Sequence, residues 1–376
     1  MVESTTSTSF ADLPDALVRE LLNRAIPVAA DIQQRVDALR SVQSQLRRCA
    51  QDLGLIRRKA DLDVASEPSV VGIDGSYQIH RLTALDLCAT AAVAVEGTVK
   101  EARRYWPEPH HRIWVDGIPH QGQPAGVLRA LMVAMELELA AEAPHDVVLI
   151  DGSFASLIIY INQGVTQFSH VAPQLANAIR EQWEKGSLFQ SLLTLLASNR
   201  TVAVPKFTSK NELVSQARIS VPQDIDGKTL ATLILEPGEY TKPLLLDRPD
   251  SREDYHLPPP ADNEKLNEAM ELIHVIYFRP YGWTAALRLE VPSVISNSPT
   301  RLSIILEGIT RQFFSPAVFE PYPLFLADRM VKSLGAGVQV VEQSIAQHVA
   351  GASVDVETTL LFLQNYRTEG GRGGIG

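Results

Sequence analysis

The sequence predicts an α/β fold in which helices flank a mixed β-sheet, with a helical extension at the N-terminus. Three observations lead to this prediction. Before residue 60, apolar residues recur at helical spacing. From residue 70 onward, short β-branched runs alternate with helical patterns, as in α/β folds. Two of those runs are nearly identical and both end in Asp-Gly-Ser, which puts two acidic residues in equivalent positions.

The predicted elements follow in order along the chain. The N-terminal pattern runs from about residue 11 to residue 60 and forms one or two helices, with Pro27 as an interruption. A strand over 70–76 is followed by strands over 82–95 and 99–106, and the three together suggest an antiparallel meander. After the meander, the predicted elements are a helix over 124–143, a strand over 147–153, a helical pattern over 174–198, a strand over 201–207, an exposed loop over 247–264, strands over 273–279 and 283–291, a helix over 299–314 and helices over 324–349.

The composition is that of a folded protein. The chain has 376 residues, of which 45% are hydrophobic and 21% charged, which argues against wholesale disorder, a collagen-like repeat and a long coiled coil. That length holds one large domain or two ordinary ones. We predict an N-terminal helical region over 1–64, a main domain over 65–350 and a C-terminal segment over 351–376 that ends in a mobile glycine-rich tail.

Cysteine usage and hydropathy indicate the compartment. With only Cys49 and Cys88, the chain has neither a disulfide framework nor a pair of cysteines spaced to hold zinc. No window approaches the roughly 18 to 20 uninterrupted apolar residues of a membrane helix. The first residues also lack the basic-then-apolar order of a signal peptide. We therefore expect a cytoplasmic protein that does not enter a membrane.

The charge of the chain limits how it can bind nucleic acid. The chain has 34 Lys and Arg residues and 44 Asp and Glu residues, which gives a formal charge of −10. Phosphates would therefore have to be bound by a local group of basic residues. The stretch from Arg35 to Lys59 contains seven basic residues and two acidic ones. This stretch is either a stripe that contacts phosphates, a solvated helix face, or an arm that docks on a partner.

The two Asp-Gly-Ser endings point to a site. Asp74 and Asp151 each follow a buried strand, and the carboxyl ends of strands in open α/β sheets are where ligands bind. Asp-Gly is also ordinary turn chemistry, so each residue alone could merely cap a turn. Because the ending occurs twice after similar strands, we expect the two carboxylates to share a site.

Clustered carboxylates without cysteine or paired histidine ligands suit hard divalent cations such as Mg²⁺ or Mn²⁺. Two such ions, about 3.5 to 4 Å apart, would stabilise the attacking and leaving oxygens in phosphodiester hydrolysis. A third acid is expected from the helix that precedes the second strand. That helix carries Glu136, Glu138 and Glu142, and helical spacing alone does not choose among them.

Several motifs occur in an order that is typical of one known family. Over roughly residues 65–335 they are V-V-G-I-D-G-S, M-E-L-E-L on a helix, V-V-L-I-D-G-S, V-P-K-F-T-S-K and P-Y-P-L-F-L-A-D-R. In this order the chain resembles the NurA nucleases. The resemblance implies an RNase H-like core and metal-dependent processing of DNA ends, often with manganese. It also implies a toroidal homodimer that works with a hexameric HerA-type ATPase, with 5′-3′ exonuclease and single-strand endonuclease activity in double-strand-break repair.

The resemblance also implies roles for single residues. The two aspartates of the family fall on Asp74 and Asp151, and its helix glutamate falls on Glu136, with Glu138 as the fallback. The C-terminal motif of much of the family reads Y-P-x-P-L-x-x-A-H. Here Glu320 stands in place of the tyrosine and Asp328 in place of the histidine.

These departures change what the C-terminal motif is expected to do. Asp328 can replace a histidine as a metal ligand, and we include it among the predicted catalytic and metal-binding residues. A glutamate cannot stack or donate a proton as a phenol does, so the role of the tyrosine would pass to Tyr322. Lys206 matches a position where the family tends to carry a lysine. It would hold the scissile phosphate as a point charge, or else be an ordinary exposed lysine.

Two other functions remain open from the sequence. One is an actin-like or sugar-kinase-like ATPase, whose phosphate loops carry a residue between Asp and Gly that this sequence lacks. The other is a catalytically idle scaffold that clamps DNA or docks on an ATPase ring, which the changed C-terminal motif favours. Because the chain has no GxxxxGK[ST] loop, any ATP-driven step belongs to a partner.

Overall fold

The structure, a computed structural model, describes residues 13–63, 66–98, 104–120, 123–206, 211–217, 225–247, 254–353 and 355–370. Its helices and strands, in chain order, are α1 (Asp15–Asp52), β1 (Ile56–Arg58), β2 (Val70–Leu82), β3 (Asp86–Glu96), β4 (His110–Ile118), α2 (Ala125–Glu142), β5 (Val147–Asp151), α3 (Phe154–Val165), α4 (Pro173–Glu184), α5 (Ser187–Leu196), β6 (Thr201–Val204), α6 (Glu212–Ala217), α7 (Gly227–Ile234), β7 (Glu239–Thr241), β8 (Leu244–Leu245), α8 (Asn263–Glu271), β9 (Ile273–Arg279), β10 (Leu287–Pro292), α9 (Ser293–Ser296), α10 (Pro299–Arg311), α11 (Tyr322–Lys332), α12 (Leu334–Ala352), α13 (Val356–Phe362) and β11 (Asn365–Gly370).

One mixed sheet runs through the described part of the chain. Its strands lie in the order β1-β7-β9-β10-β6-β5-β2-β3-β4, while β8 pairs with β9 and β11 with β2. The pairs β2/β5 and β5/β6 are parallel and the others are antiparallel. The prediction of an RNase H-like mixed sheet flanked by helices is confirmed. Its central unit is the meander β2-β3-β4, followed by α2 and the parallel strand β5.

Helices cover both faces of the sheet. Side chains of successive strand residues point to opposite faces, so Ile73 and Ile150 pack with α2, α3, α4 and α5. Val70 and Leu149 face the other way and pack with α10 and the start of α11. Because β2 and β5 are buried on both faces, their sequences read as nearly continuous apolar runs.

The N-terminal helix is anchored to the sheet only at its C-terminal end. Leu46 and Ala50 are the buried residues of α1 and pack with α7. Arg47 reinforces this contact because its guanidinium donates two hydrogen bonds, of 2.7 and 2.9 Å, to the carboxylate of Glu239 on β7. No helix of the described residues is long and apolar enough to cross a bilayer.

The structure corrects several predicted boundaries. The third strand of the meander is β4, at His110–Ile118; residues 104–106 of the strand predicted over 99–106 are not in a strand, and 99–103 lie outside the described residues. The helical pattern predicted over 174–198 forms two helices, α4 and α5. They are separated at Gly186, which has a φ of +73°. The helix α3 was not predicted. Its residues follow Asp-Gly-Ser directly, where we expected only a turn.

The ends of the chain also differ from the predictions. The basic stretch from Arg35 to Lys59 is not one helix, because α1 ends at Asp52 and Ile56–Arg58 pairs with β7 as β1. Near the C-terminus, β11 pairs with β2. The mobile tail was predicted beyond that strand, and residues 371–376 lie outside the described part of the chain. The proposed division into three regions remains a prediction.

A substitution at Gly72 tests how closely α11 packs on β2. A Cβ at Gly72 would lie 2.4 Å from the backbone N of Leu324 and 2.5 Å from the backbone carbonyl carbon of Pro323. Backbone atoms cannot move aside as a flexible side chain can, so Gly72→Ala should lower the free energy of unfolding by about 1–3 kcal/mol. The urea midpoint, at an unchanged slope, measures this loss.

Gly337→Ala is the matched control. Gly337 is exposed in α12 and a Cβ there would meet no atom within 4 Å. Because alanine favours a helix over glycine by up to about 1 kcal/mol, this variant should be as stable as the wild type or more stable. Equal midpoints for the two variants would contradict the close contact between β2 and α11.

Candidate metal centre

Two aspartates come together on adjacent parallel strands. In the register of β2 and β5, Ile73 lies opposite Ile150, so the next residues, Asp74 and Asp151, are side by side. Only 2% of Asp74 and 5% of Asp151 is exposed. Buried carboxylates this close repel each other unless cations neutralise them, so their surroundings determine what the site can do.

The two Asp-Gly-Ser segments fold differently. At the end of β5, Gly152 has a φ of +90° and Ser153 caps α3 by accepting a hydrogen bond from the backbone N of Ser156. At β2 the strand continues for six residues beyond Ser76, so the turn predicted there is wrong. Gly75 is needed for a different reason, because a Cβ there would lie 2.5 Å from the Cγ of Met132.

A third aspartate comes from the C-terminal motif. The start of α11 crosses β2 at Gly72, which lies on the same face of the strand as Asp74. One oxygen from each of Asp74, Asp151 and Asp328 lies within 4.8 Å of the other two. We call these three residues the aspartate cluster. The structure thus brings together three of the four predicted metal-binding residues.

Glu136 is not a member of the aspartate cluster. It is fully buried on α2, and its Oε1 lies 2.7 Å from the position that a Cβ of Gly75 would take. Since Gly75 and Asp74 point to opposite faces of β2, Glu136 approaches the strand from the other side of the sheet. Glu138, the fallback, faces Gln182 and Arg112 at the end of α2.

Lys206 neutralises part of the aspartate cluster. Its Nζ lies 3.2 Å from Asp151, 2.9 Å from Asp328 and 3.2 Å from Glu320. Burial disfavours the charged form of the lysine, but the carboxylates outweigh burial and raise the pKa of Lys206. The ammonium therefore stays charged across the physiological range and does part of what a bound cation would do.

Glu320 and Lys332 join the site without having been predicted as site residues. Burial raises the pKa of Glu320, helped by Asp151 and Asp328 and opposed by Lys206. Burial also disfavours the charged form of Asp328, but hydrogen bonds from Lys332 and Lys206 outweigh it and lower the pKa of Asp328. The 2.7 Å contact between Lys332 and Asp328 has i,i+4 helical spacing, so the sequence carried a signal for it.

The donor set fits a hard divalent cation. The aspartate cluster offers only carboxylate oxygens, which are the ligands that Mg²⁺ and Mn²⁺ prefer. The cluster also sits at the carboxyl end of β5, with Lys206 close enough to contact a phosphate bound at the same place. A site of this kind can hold a phosphate ester between a cation and an ammonium.

The basic stretch at the N-terminus does not form one free stripe. Arg47 pairs with Glu239, Arg58 with Asp61 and Lys59 with Glu307. Three of the seven basic residues thus have carboxylate partners within the protein. Whether the stretch contacts DNA or a partner stays a prediction.

Comparisons with known proteins agree with this fold. The NurA domain family model matches residues 68–333. The crystal structure of the NurA nuclease from Sulfolobus solfataricus superposes with a TM-score of 0.57 at 13% identity, over 88% of this chain and 98% of that one. A crystal structure of NurA with manganese gives a TM-score of 0.52 at 12% identity, over 88% and 99%.

Another NurA crystal structure superposes with a TM-score of 0.51 at 13% identity, over 90% of this chain and 99% of that one. No curated protein is significantly similar in sequence. At these identities the solved structures show the fold, whereas the family model covers well over half of the chain. The chain therefore belongs to the NurA family.

Proposed function

We propose that this protein is a metal-dependent deoxyribonuclease that hydrolyses phosphodiester bonds. The observation that carries the proposal is the aspartate cluster, three carboxylates with oxygens within 4.8 Å of one another on two parallel strands and a crossing helix. Membership of the NurA family supports it, and a related fold has been crystallised with manganese.

The aspartate cluster is proposed to hold Mn²⁺ or Mg²⁺, with two ions in the active state. A divalent cation bound there would stabilise the negative charge that develops on the scissile phosphate. Asp74, Asp151 and Asp328 would fix its position through the rigid strands and α11. Glu136 stays a predicted fourth ligand on the strength of the resemblance alone, since its side chain approaches β2 from the other face of the sheet.

Lys206 is proposed to change partners as the site fills. Before a cation binds, its ammonium neutralises Asp151, Asp328 and Glu320. With a divalent cation held by Asp74, Asp151 and Asp328, the ammonium of Lys206 would be able to contact a nonbridging oxygen of the scissile phosphate. The same lysine would thus balance the carboxylates and bind substrate.

The finer parts of the function rest on the family resemblance. They are 5′-3′ exonuclease and single-strand endonuclease activity in DNA end resection, a homodimer, a HerA-type hexameric ATPase as partner, and a cytoplasmic location. The absence of a P-loop motif from the sequence supports an ATPase partner, because strand movement driven by ATP needs a nucleotide site that this motif would mark.

The proposed chemistry predicts the effect of isosteric changes in the aspartate cluster. Asp74→Asn or Asp151→Asn removes one anionic ligand without changing side-chain shape, so cleavage of labelled DNA with Mn²⁺ should fall about 100-fold or more. EDTA should abolish wild-type cleavage. Thermal unfolding should stay close to the wild type, because loss of one charge also relieves repulsion within the cluster.

Asp37→Asn is the control, since Asp37 is exposed on α1 and accepts a hydrogen bond only from Gln33 among its described contacts. It should cleave at the wild-type rate. Wild-type rates for both cluster variants, or full cleavage in EDTA, would show that the proposed chemistry is wrong.

Lys206→Met tests the exchange between ammonium and cation. Without Lys206, Asp151 loses its lysine partner and Asp328 keeps only Lys332, so Mn²⁺ should bind more tightly and raise the melting temperature more than it does in the wild type. In EDTA the variant should melt lower than the wild type, because the carboxylates then repel each other. Scanning fluorimetry over a Mn²⁺ titration measures both effects.

Lys265→Met removes the same charge from an exposed pair with Asp262, away from the cluster. Its response to Mn²⁺ should match that of the wild type. If Lys206→Met responded no more strongly than Lys265→Met, the ammonium would not occupy the place of a cation.

A further inference from the structure

A cavity of about 660 Å³ lies next to the aspartate cluster, between α1 and α7. Its walls include Arg40 of α1, Lys228 of α7 and Arg279 at the end of β9, and Lys206 forms the side that adjoins the cluster. Cavities of about 300 to 1,000 Å³ are the size that holds small organic ligands. Lys206 therefore both lines the cavity and contacts the aspartate cluster.

The walls of this cavity are basic although the protein is acidic. Four of its lining residues are Lys or Arg and one, Asp226, is acidic, in a chain whose formal charge is −10. The carboxylate of Asp226 is engaged by the backbone N and hydroxyl of Thr229, where it caps α7. The cavity thus concentrates positive charge in a protein that is acidic overall.

Two of the four cations in the wall are held by neutral groups, whereas Lys206 contacts the carboxylates of the site. Arg279 donates to the backbone carbonyls of Thr232, Leu235, Gly282 and Thr284. Lys228 donates to the carbonyl of Lys206 over 2.8 Å. Carbonyls fix the direction of Arg279 and Lys228 without pairing them with a carboxylate. Burial lowers the pKa of Lys228, and a bound phosphate would favour its charged form.

Apolar side chains also line the cavity. Val36 and Leu39 of α1 and Leu233 of α7 form this apolar part of the wall, and a sugar or a base can pack against such side chains. A phosphate matches the basic residues and a nucleoside matches the apolar ones. This combination distinguishes a nucleotide from inorganic phosphate or a carboxylate peptide as the ligand.

We propose that this cavity binds one nucleotide of the substrate strand, next to the phosphodiester that is cleaved at the aspartate cluster. Its phosphate contacts Arg40 and Lys228, and its sugar and base contact the apolar wall. The inference rests on the proposed nuclease function, because it assigns the strand that the cluster would cut. It gives the C-terminal half of α1 a direct part in binding the substrate.

Binding without metal tests the cavity separately from cleavage. In EDTA, a fluorescein-labelled thymidine tetranucleotide should bind to Arg40→Gln about tenfold more weakly than to the wild type, and with a shallower salt dependence, because one charged phosphate contact is lost. Arg24→Gln removes the same charge from the same exposed helix but neither lines the cavity nor belongs to the basic stretch from Arg35 to Lys59, and should bind as the wild type does.

Val36→Trp tests occupancy without a change of charge. The larger side chain fills the apolar wall, so it should also weaken tetranucleotide binding several-fold, while circular dichroism shows an unchanged fold. If Arg40→Gln and Val36→Trp both bind like Arg24→Gln, the cavity is not the binding site. Thymidine monophosphate that binds as tightly as the tetranucleotide would overturn the assignment to the substrate strand.

Cleavage assays with Mn²⁺ separate the two proposals. A wild-type protein that cuts DNA, with Arg40→Gln and Val36→Trp both indistinguishable from Arg24→Gln in binding, would overturn the cavity and leave the nuclease function standing. A wild-type protein that never cuts DNA, but whose tetranucleotide binding depends on Arg40 and Val36, would overturn the nuclease function. The cavity would then stand as a nucleic-acid site alone.

Discussion

The close approach of α11 to β2 is the constraint on which the site depends. Only at a glycine can the helix backbone come as near to a strand as it does at Gly72. This contact brings Asp328, six residues into α11, to the two strand aspartates. The strands alone supply two carboxylates, and a chain segment more than 170 positions beyond Asp151 supplies the third. Without that approach the rim of the sheet would hold a pair of acids too few to surround a cation.

Charge compensation is the second requirement, and the fold meets it on both faces of the sheet. Lys206 and Lys332 neutralise the aspartate cluster on one face. On the other, the buried Arg288 pairs with Glu212 and Glu290. Glu290 also accepts a hydrogen bond from the backbone N of Phe154, the first residue of α3. The helix that follows Asp151 is therefore held by an ion network in the core, which limits how far that aspartate can move.

Much of the fold could be predicted from the sequence because its signals are local. Apolar runs and helical spacing marked β5, β9, α2 and α10 to within a few residues, and marked the start of β2. The tripeptide Asp-Gly-Ser, which occurs twice, shows where local sequence does not predict the structure. After Asp151 they form a turn and a helix cap, whereas after Asp74 they continue a strand, because α2 packs against Gly75. That contact is set by tertiary packing, which no window of sequence contains. The place of Glu136 behind the strand has the same origin.

The altered C-terminal motif is consistent with the charge balance of the site. Where much of the family has a tyrosine and a histidine, this chain has Glu320 and Asp328, and both contact Lys206. A histidine ligand is lost to a cation once it is protonated, near its ordinary pKa of about 6.5. Hydrogen bonds from two lysines lower the pKa of Asp328 despite its burial, so it remains an anionic ligand at a pH where a histidine would not. Each added carboxylate raises the need for a cation, and the ammonium of Lys206 contacts both of these side chains. Under the proposed function, the substitution would change the chemistry of the ligand set and still leave three carboxylates to hold the metal.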